Sequence, residues 1–295
     1  MLNYNIAFQS FYESDTFYLH GSWFTHLNKE RPTESMDYPK IVILIPARFG
    51  AMRFPGKPLA LIEGRPMIQH VYQNLSLSPS LLPSNKIPYT VDVYVVTDDE
   101  RIETAVKQFG GKVLRVDDDV ASGSERVFLA YQRFLKTQSP ALIVNVQGDE
   151  PLLLLQDLFP LFDFHLNNSK NSFDITTLIR PRNNDPEGFM NPNRVKAIVT
   201  KDGKCLYFSR CPIPYGAPNG EWNLHVGVYS YRASALEHFF AMTSSVLERR
   251  EKLEQLRALE GNLSIGALSI HKELLGVDSP EDISIIEGVL RGQNN

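Results

Sequence analysis

The first half of the chain contains four short aliphatic runs without sustained polar alternation. They lie at 41–45, 91–97, 113–116 and 141–146. Strands that are buried on both faces of a parallel sheet have this pattern. Segments with a helical period of apolar residues follow the first three runs. This β-α order predicts a mostly parallel sheet with helical crossovers.

The second half predicts mainly antiparallel pairing. Two apolar segments, 195–200 and 205–209, flank the dipeptide Asp202-Gly203, which is a common hairpin turn. Further strands are predicted at 174–180, 225–231 and 263–271, and a charged segment at 247–259 has the apolar period of one continuous helix. The chain therefore predicts an α/β fold with a mixed, mostly parallel sheet and a smaller antiparallel subdomain.

Two helix starts have clear capping signals. Ser122 is followed three residues later by Glu125, which fits a capping box, and the helix is predicted to carry Val127, Tyr131 and Phe134. Near the end of the chain, Ser279, Pro280 and Asp282 fit the N-cap, first and third positions of a last helix. In both places the sequence predicts a serine side chain at the N-cap.

Composition excludes several classes of protein. The 295 residues are 43% hydrophobic, with a net charge of −4, which gives no electrostatic footprint for nucleic acid. No run approaches eighteen apolar residues, so no membrane insertion is expected. The two cysteines, Cys205 and Cys211, lack metal-ligand spacing and are typical of reduced thiols in the cytoplasm.

Residues 1–38 differ from the domain predicted at 39–295. They mix aromatic and polar residues without a helical or strand period, so they do not present one apolar face to a core. We interpret them as a poorly ordered N-terminal extension. The alternative is that these aromatic side chains fold over the domain or over a partner chain.

We predict that the extension is dispensable. A chain that starts at Met36 should match the full chain in melting temperature and in function, measured side by side. A loss of several degrees or of most of the activity would show that the extension packs on the rest of the protein.

The loop after the first predicted strand carries three cations, Arg48, Arg53 and Lys57. A cationic loop with glycines at the carboxyl end of a buried strand is where open α/β sheets bind their ligands. Neither a P-loop nor the dinucleotide motif G-x-G-x-x-G is present. The loop therefore predicts a polyphosphate site, against the alternative of a solvated loop with incidental charges.

Two carboxylates are candidates for metal binding. Asp149 follows a buried strand, where it would either cap a helix or hold a divalent metal. Asp278 precedes a helix for which Ser279 is already a cap. With no cluster of histidines or cysteines, the pair favours an oxygen-ligated Mg²⁺ on a nucleotide's phosphates. On residue type alone, His225 is more often structural.

An ordered set of motifs resembles the 3-deoxy-manno-octulosonate (Kdo) cytidylyltransferases, also called CMP-Kdo synthetases. The similarity covers residues 40 to about 290. Its motifs are IPARFGAMRFPGKPL (45–59), VVTDD (95–99), SGSER (122–126), VNVQGDEP (144–151), NPNRVKAIV (191–199), YFSRCPIPY (207–215), HVGVYSYR (225–232), LEQLR (253–257) and GVDSPEDI (276–283).

The resemblance implies a Rossmann-like sheet of the nucleotide-diphospho-sugar transferase type and a homodimer. It also implies that CTP and Kdo react to give CMP-Kdo and pyrophosphate, with Mg²⁺, for lipopolysaccharide biosynthesis in the bacterial cytoplasm. By position, the nucleotide would be bound by Pro46, Ala47, Arg48, Arg53, Lys57, Asp98, Ser122 and Gln147. Lys57, Asp149 and Asp278 would be catalytic, the two aspartates as metal ligands. The sugar acid would be contacted by Arg210, His225, Tyr229, Glu254 and Gln255.

Departures from the family pattern leave the sugar open. Ala51-Met52 stands where members often have Ser-Thr, Val120-Ala121 stands where His-Gln is usual, and the loop 215–224 is short. Because of these departures, 8-amino-Kdo remains a candidate substrate beside Kdo. Another activated sugar, such as sialic acid or a hexose phosphate, and a non-catalytic nucleotide-binding module are the remaining alternatives.

Overall fold

The aliphatic runs form the centre of a large mixed sheet. We describe it from a computed structural model, which covers residues 38–50, 54–76, 89–167, 172–216 and 220–292. The strands are β1 (Lys40–Pro46), β2 (Leu61–Ile62), β3 (Arg65–Pro66), β4 (Thr90–Thr97), β5 (Val113–Arg115), β6 (Leu142–Asn145), β7 (Ile175–Asn183), β8 (Lys196–Val199), β9 (Cys205–Ser209), β10 (Glu221–Tyr231) and β11 (Ile265–Ser269). The predicted extension, residues 1–38, lies almost entirely outside the described residues.

Helices cover both faces of this sheet. They are α1 (Met67–Leu75), α2 (Glu100–Gln108), α3 (Gly123–Ala130), α4 (Leu155–Asn167), α5 (Pro186–Met190), α6 (Ala233–Ala241), α7 (Val246–Glu251), α8 (Gln255–Glu260) and α9 (Pro280–Gly292). Within the described ranges, none of these helices combines the length and the apolar character needed to cross a bilayer.

The sheet has a parallel half and an antiparallel half. In the described part of the chain its main path is β11-β7-β10-β6-β1-β4-β5, while the β8–β9 hairpin joins through β10. Strands β5, β4, β1 and β6 are parallel, whereas β10 runs antiparallel to both β6 and β7. The predicted α/β class and the predicted hairpin are confirmed.

Burial on both faces explains the unbroken aliphatic run of β1. Ile41, Ile43 and Ile45 lie in one core cluster, and Val42 and Leu44 lie in another on the opposite face. All five side chains are fully buried. Because neither face of β1 meets water, its sequence needs no polar alternation.

The prediction of one continuous helix over 247–259 is wrong. The segment forms two short helices, α7 and α8, which are separated at Lys252 by a left-handed backbone with φ of 54°. Leu253 and Leu256 are nevertheless buried, as one amphipathic helix would require. Apolar spacing alone therefore did not reveal the break between α7 and α8.

The helix predicted after Ser122 also ends early. Regular α-helix stops at Ala130, and 131–135 form a π-helical turn, in which each hydrogen bond spans one more residue than in an α-helix. This change of period leaves Phe134 45% exposed and buries Leu135 instead. The expectation that Phe134 packs on the core is therefore wrong.

The two predicted caps differ in detail. Ser122 Oγ accepts from the amide of Glu125, but the Glu125 carboxylate accepts from the Ala121 amide, so the capping box is only half formed. At α9 the Asp282 carboxylate accepts from the amides of Asp278 and Ser279, and the Ser279 hydroxyl donates to it. Asp282 rather than Ser279 provides the capping oxygen.

Candidate active site

A cavity of about 360 Å³ opens beyond the carboxyl ends of β1 and β6. These strands approach closely there, since a Cβ on Gly148 would lie 3.0 Å from the carbonyl oxygen of Pro46. The sheet edge is where an α/β fold binds its ligand. The predicted residues that line the cavity are Pro46, Ala47, Arg48, Lys57, Ser122, Gln147, Asp149 and Asp278.

Lys57 is the central cation of the cavity. It begins a short 3₁₀ helix directly after Gly56, whose φ of 73° is the left-handed conformation that glycine adopts readily. Its Nζ lies 2.6 Å from Asp149 Oδ2 and donates to the Val277 carbonyl at 2.6 Å. Arg48 lines the same cavity and is exposed, while Arg53 lies outside the described residues.

Asp149 faces this cavity and does not cap a helix. The next helix, α4, begins only at Leu155, and the amide before it is bound by the Asp157 carboxylate. The helix-cap alternative for Asp149 is therefore wrong. Its carboxylate is paired with Lys57 and shares the cavity with Asp278.

Glu150 places a largely desolvated carboxyl next to Asp149. Burial and the neighbouring charge of Asp149 raise the pKa of its carboxyl to about 8, with Lys57 opposing the shift and Asp278 adding to it. Among the described residues, Glu150 Oε2 is buried without a hydrogen-bond partner. A cation placed between Asp149 and Asp278 would be attracted by the same charge.

The donor set fits magnesium. Across the described ranges, no group of three or more histidine, cysteine or acidic side chains could hold a metal ion by itself. Mg²⁺ is commonly held by only one or two carboxylates together with substrate phosphates and water. Asp149 and Asp278 line one cavity with the cations Arg48 and Lys57, and such a pair of carboxylates offers that combination.

Asp98 lies at the rim through an ion pair that sequence reasoning missed. Its Oδ2 is 2.7 Å from Nη2 of Arg126, a buried side chain that lines the cavity and also donates to the Val116 carbonyl. The SGSER motif contained this arginine. Its partners, however, come directly after β4 and after β5, so the pairing becomes visible only in the fold.

A second group of predicted residues lies on β10. His225 Nε2 is 3.0 Å from Thr177 Oγ1, which donates to the Val228 carbonyl. The threonine oxygen must then accept from Nε2–H, and this assignment leaves His225 Nδ1 as an acceptor. Burial lowers the pKa of the imidazole to about 4, so the ring is neutral at pH 7.

Tyr229 and His225 share one face of β10, and a β-bulge between them brings their rings closer together than a regular strand would. The β10–β7 register shifts between Val226 and Tyr229, and bulges of this kind re-aim side chains beside active sites. The rings of His225 and Tyr229 are 5.4 Å apart. Burial, helped by nearby Tyr231 and Glu254, raises the pKa of Tyr229 well above its usual value, so its phenol stays a neutral donor.

Two orphaned polar atoms mark this region. Among the described residues, Gln255 Nε2 and Asn145 Oδ1 are buried without hydrogen-bond partners. Buried polar atoms are usually paired, so each has hydrogen-bonding capacity for a ligand or water. Asn145, which sequence reasoning missed, lies opposite Tyr229 in the β6–β10 register.

Gln147 connects the two groups. It lines the cavity, and its Cγ lies 3.6 Å from the place where a Cβ on Gly227 would be, between His225 and Tyr229 in the chain. The cavity wall formed by the described residues includes none of the five residues predicted for the sugar acid. The cavity and the β10 group are therefore distinct but adjoining.

Arg210 binds backbone carbonyls in this structure, whereas the sequence predicts that it pairs with the carboxylate of the sugar acid. Its guanidinium donates to the carbonyls of Glu251, Pro192 and Lys252 at 2.8, 3.0 and 3.3 Å. A guanidinium has five N–H donors, so at most two remain for a ligand. The bidentate contact with a sugar carboxylate stays a prediction.

Comparison with known proteins agrees with this geometry. The family model for cytidylyltransferases matches residues 42–265. The chain belongs to the cytidylyltransferase family. A Kdo cytidylyltransferase from Thermodesulfovibrio yellowstonii is 36% identical over 84% of this chain and 97% of its own. An 8-amino-3,8-dideoxy-manno-octulosonate cytidylyltransferase from Shewanella pealeana is 39% identical over 85% and 98%.

A solved structure extends the comparison. CMP:2-keto-3-deoxy-manno-octonic acid synthetase, in complex with CTP, matches with a TM-score of 0.75 and 33% identity over 86% of this chain and 99% of that one. A glucose-1-phosphate thymidylyltransferase from Bacillus anthracis, at 15% identity and a TM-score of 0.56, shares the fold. The resemblance to the Kdo cytidylyltransferases, and with it the nucleotidyltransferase fold, is confirmed.

Proposed function

We propose that this cytidylyltransferase transfers CMP from CTP to the anomeric hydroxyl of Kdo and releases pyrophosphate. The observation that carries the proposal is one cavity that combines the phosphate-binding cations Arg48 and Lys57 with the carboxylates Asp149 and Asp278. The Kdo-activating relatives and the CTP complex of the structural neighbour support it.

Lys57 would bind the phosphates of CTP. An ammonium has three N–H donors, and two already point at Asp149 and Val277, so one remains for a phosphate oxygen. Arg48 adds a second cation, and Ser122 and Gln147 line the space left for the nucleoside. Charge stabilisation and positioning dominate phosphoryl chemistry of this kind, because the protein forms no bond itself.

Asp149 and Asp278 would hold Mg²⁺. The metal would offset charge on the phosphates and lower the pKa of the attacking hydroxyl. Without it, the Lys57 ammonium already compensates the charge of Asp149 at 2.6 Å. Asp149 is therefore placed against a cationic partner, and Asp278 lines the same cavity.

The β10 group would orient the sugar acid. The neutral imidazole of His225 offers Nδ1 as an acceptor, and the phenol of Tyr229 offers a donor. Gln255 contributes an unpaired amide N–H, and Arg210 has up to two donors for a carboxylate. Glu254 lies close enough to raise the pKa of Tyr229.

We expect pyrophosphate release from CTP with Kdo, and little release when UTP or ATP replaces CTP. The assay crosses these three nucleotides with Kdo, 8-amino-Kdo, sialic acid and a hexose 1-phosphate. No release with CTP and Kdo would sink the main proposal. Calorimetric binding of CTP without turnover on any sugar would favour a non-catalytic module.

A second candidate substrate is 8-amino-Kdo. Its support is specific, because the Shewanella relatives named for it are 39–41% identical to this chain. The two sugars differ at one exocyclic group, so the reaction at the anomeric hydroxyl is the same. The ratio of kcat/KM values in the crossed assay decides between them.

The setting of the reaction is also part of the proposal. We propose a homodimer acting in the bacterial cytoplasm, where CMP-Kdo would enter lipopolysaccharide biosynthesis. Leu206 on β9 is 54% exposed and Tyr215 beyond it is fully exposed, which is consistent with a contact surface on the antiparallel half. Analytical ultracentrifugation measures the oligomeric state directly.

A further inference from the structure

The break between α7 and α8 is fastened to the end of β9 by one carboxylate. Glu251, the last residue of α7, accepts from Ser209 Oγ at 2.7 Å through Oε1 and from the Arg210 amide at 2.9 Å through Oε2. Both oxygens are used, and each meets a donor from the same strand end. The contact joins segments that lie 41 and 42 residues apart in the chain.

Arg210 completes the connection from the other side. Its side chain donates to the backbone carbonyls of Glu251 and Lys252, the residues at which the helix breaks. Lys252 there adopts the left-handed conformation, which is uncommon for a residue with a side chain, and its amide donates to the Glu248 carbonyl. Glu251 and Arg210 add contacts from the end of β9 that hold the same turn.

Lys196 binds the backbone of Arg210 at the same end of β9. Its side chain is fully buried, and its ammonium donates to the carbonyls of Asn191, Arg194 and Arg210 at 2.7 to 3.0 Å. The three carbonyls satisfy all three N–H donors of the ammonium. The backbone of Arg210 is thus held by Lys196 on its carbonyl and by Glu251 on its amide.

Two of the residues predicted to contact the sugar acid follow this turn directly in the chain. Glu254 and Gln255 follow Lys252 by two and three residues, and Gln255 opens α8 with its side-chain amide buried and unpaired. The direction of α8, and so the place of this amide, depends on the fixed turn at Lys252. The guanidinium of Arg210 depends on the same turn, because two of its acceptors belong to it.

We propose that Glu251 is a positioning residue for the sugar-acid site. By holding the α7–α8 break on β9, its carboxylate sets the places of Arg210, Glu254 and Gln255 without itself touching the substrate. The inference rests on the proposed function, since it assigns those three residues to the sugar acid. It predicts an effect on the sugar and not on the nucleotide.

Glu248 provides a matched control. It lies one turn earlier in α7 and forms a capping box with Ser245 and an ion pair with Arg257, in which both side chains are only 12% exposed. Arg257 belongs to α8, so this ion pair joins α7 to α8 but makes no contact with Ser209 or Arg210 at the end of β9. Glu248→Gln therefore weakens the α7–α8 pair while Glu251 stays bound to β9, and it should lower the melting temperature without a selective effect on the sugar.

The test compares E251Q, E248Q and the unmodified chain by steady-state kinetics and thermal melting. In E251Q the carboxylate charge that strengthens both hydrogen bonds is lost, and Ser209 Oγ must accept from an amide NH₂ instead of donating, so we expect KM for Kdo to rise about tenfold, as for the loss of about one hydrogen bond. KM for CTP and kcat at saturating Kdo should stay within about threefold of the unmodified chain, because the nucleotide cavity is unchanged.

The outcomes separate the two claims. If the unmodified chain uses neither Kdo nor 8-amino-Kdo, the proposed function fails and this inference fails with it. If the chain is active but E251Q raises both KM values equally, or only melts earlier as E248Q does, then Glu251 is merely structural and the positioning role is overturned. A selective rise in KM for the sugar acid supports it.

Discussion

Replacing Lys57 with methionine should lower kcat by about 10²–10³-fold, as is typical when one preorganised group that stabilises developing charge is removed. The Lys57 ammonium is 16% exposed and lies between Asp149 and the Val277 carbonyl. Methionine keeps the length of the aliphatic stem and removes only the charge and its donors. The measurement is single-turnover pyrophosphate release at saturating CTP and Kdo.

Loss of the ammonium also leaves Asp149 without its partner, and this effect must be separated from catalysis. Thermal melting with and without MgCTP does so, since a bound cation should restore the compensation of Asp149 while turnover stays low. Lys112→Met is the control, because Lys112 pairs with Asp92 on the surface and is not part of the cavity. Normal kcat in Lys57→Met would exclude Lys57 from the chemistry.

The parallel half of the fold was predictable because its signal is local. A strand buried on both faces must be apolar at successive positions, and Ile41 to Ile45 meet that condition within five residues. The break at Lys252 was not predictable in this way. Leu253 and Leu256 keep a helical spacing across it, and the break is held by contacts from β9 that no local pattern contains.

The residues of the cavity were also predictable where their signal is local. Arg48 and Asp149 come shortly after β1 and β6, and Lys57 belongs to the loop that leaves β1, so strand prediction already placed all three at one edge of the sheet. Arg126 and Asn145 were missed because their surroundings come from distant segments. Arg126 pairs with Asp98 at the end of β4. Asn145 lies beside Tyr229 of β10 and donates to Ser124 Oγ of α3, while its Oδ1 is buried without a partner among the described residues.

His225 illustrates how the fold changes an interpretation. A lone histidine is more often structural, and its bond to Thr177 and its ring contact with Phe208 would fit that role. The same bond, however, fixes the tautomer and leaves Nδ1 as an acceptor beside Tyr229. Burial and a neutral ring thus make the residue suitable for orienting a sugar hydroxyl.

Asp278→Asn is expected to reduce turnover by about 10²-fold while CTP binding changes little, because the lost charge matters most in the transition state. The asparagine keeps the shape of the side chain and the oxygen that faces the cavity. The start of α9 should survive, since its capping oxygen belongs to Asp282 and accepts from the backbone amide of residue 278. Calorimetry measures CTP affinity, and turnover is titrated with Mg²⁺.

The dependence on Mg²⁺ is what distinguishes a metal ligand from a general contribution of charge. If Asp278 helps to hold the metal, the variant should need more Mg²⁺ for half-maximal turnover, and calorimetric titration of Mg²⁺ into the CTP complex should show weaker binding. Glu281→Gln is the matched control, because this exposed acid lies in the first turn of α9 and does not line the cavity. If the Asp278→Asn variant turns over normally at limiting Mg²⁺, Asp278 has no role in the mechanism. Of the two proposed metal ligands, Asp149 would then remain.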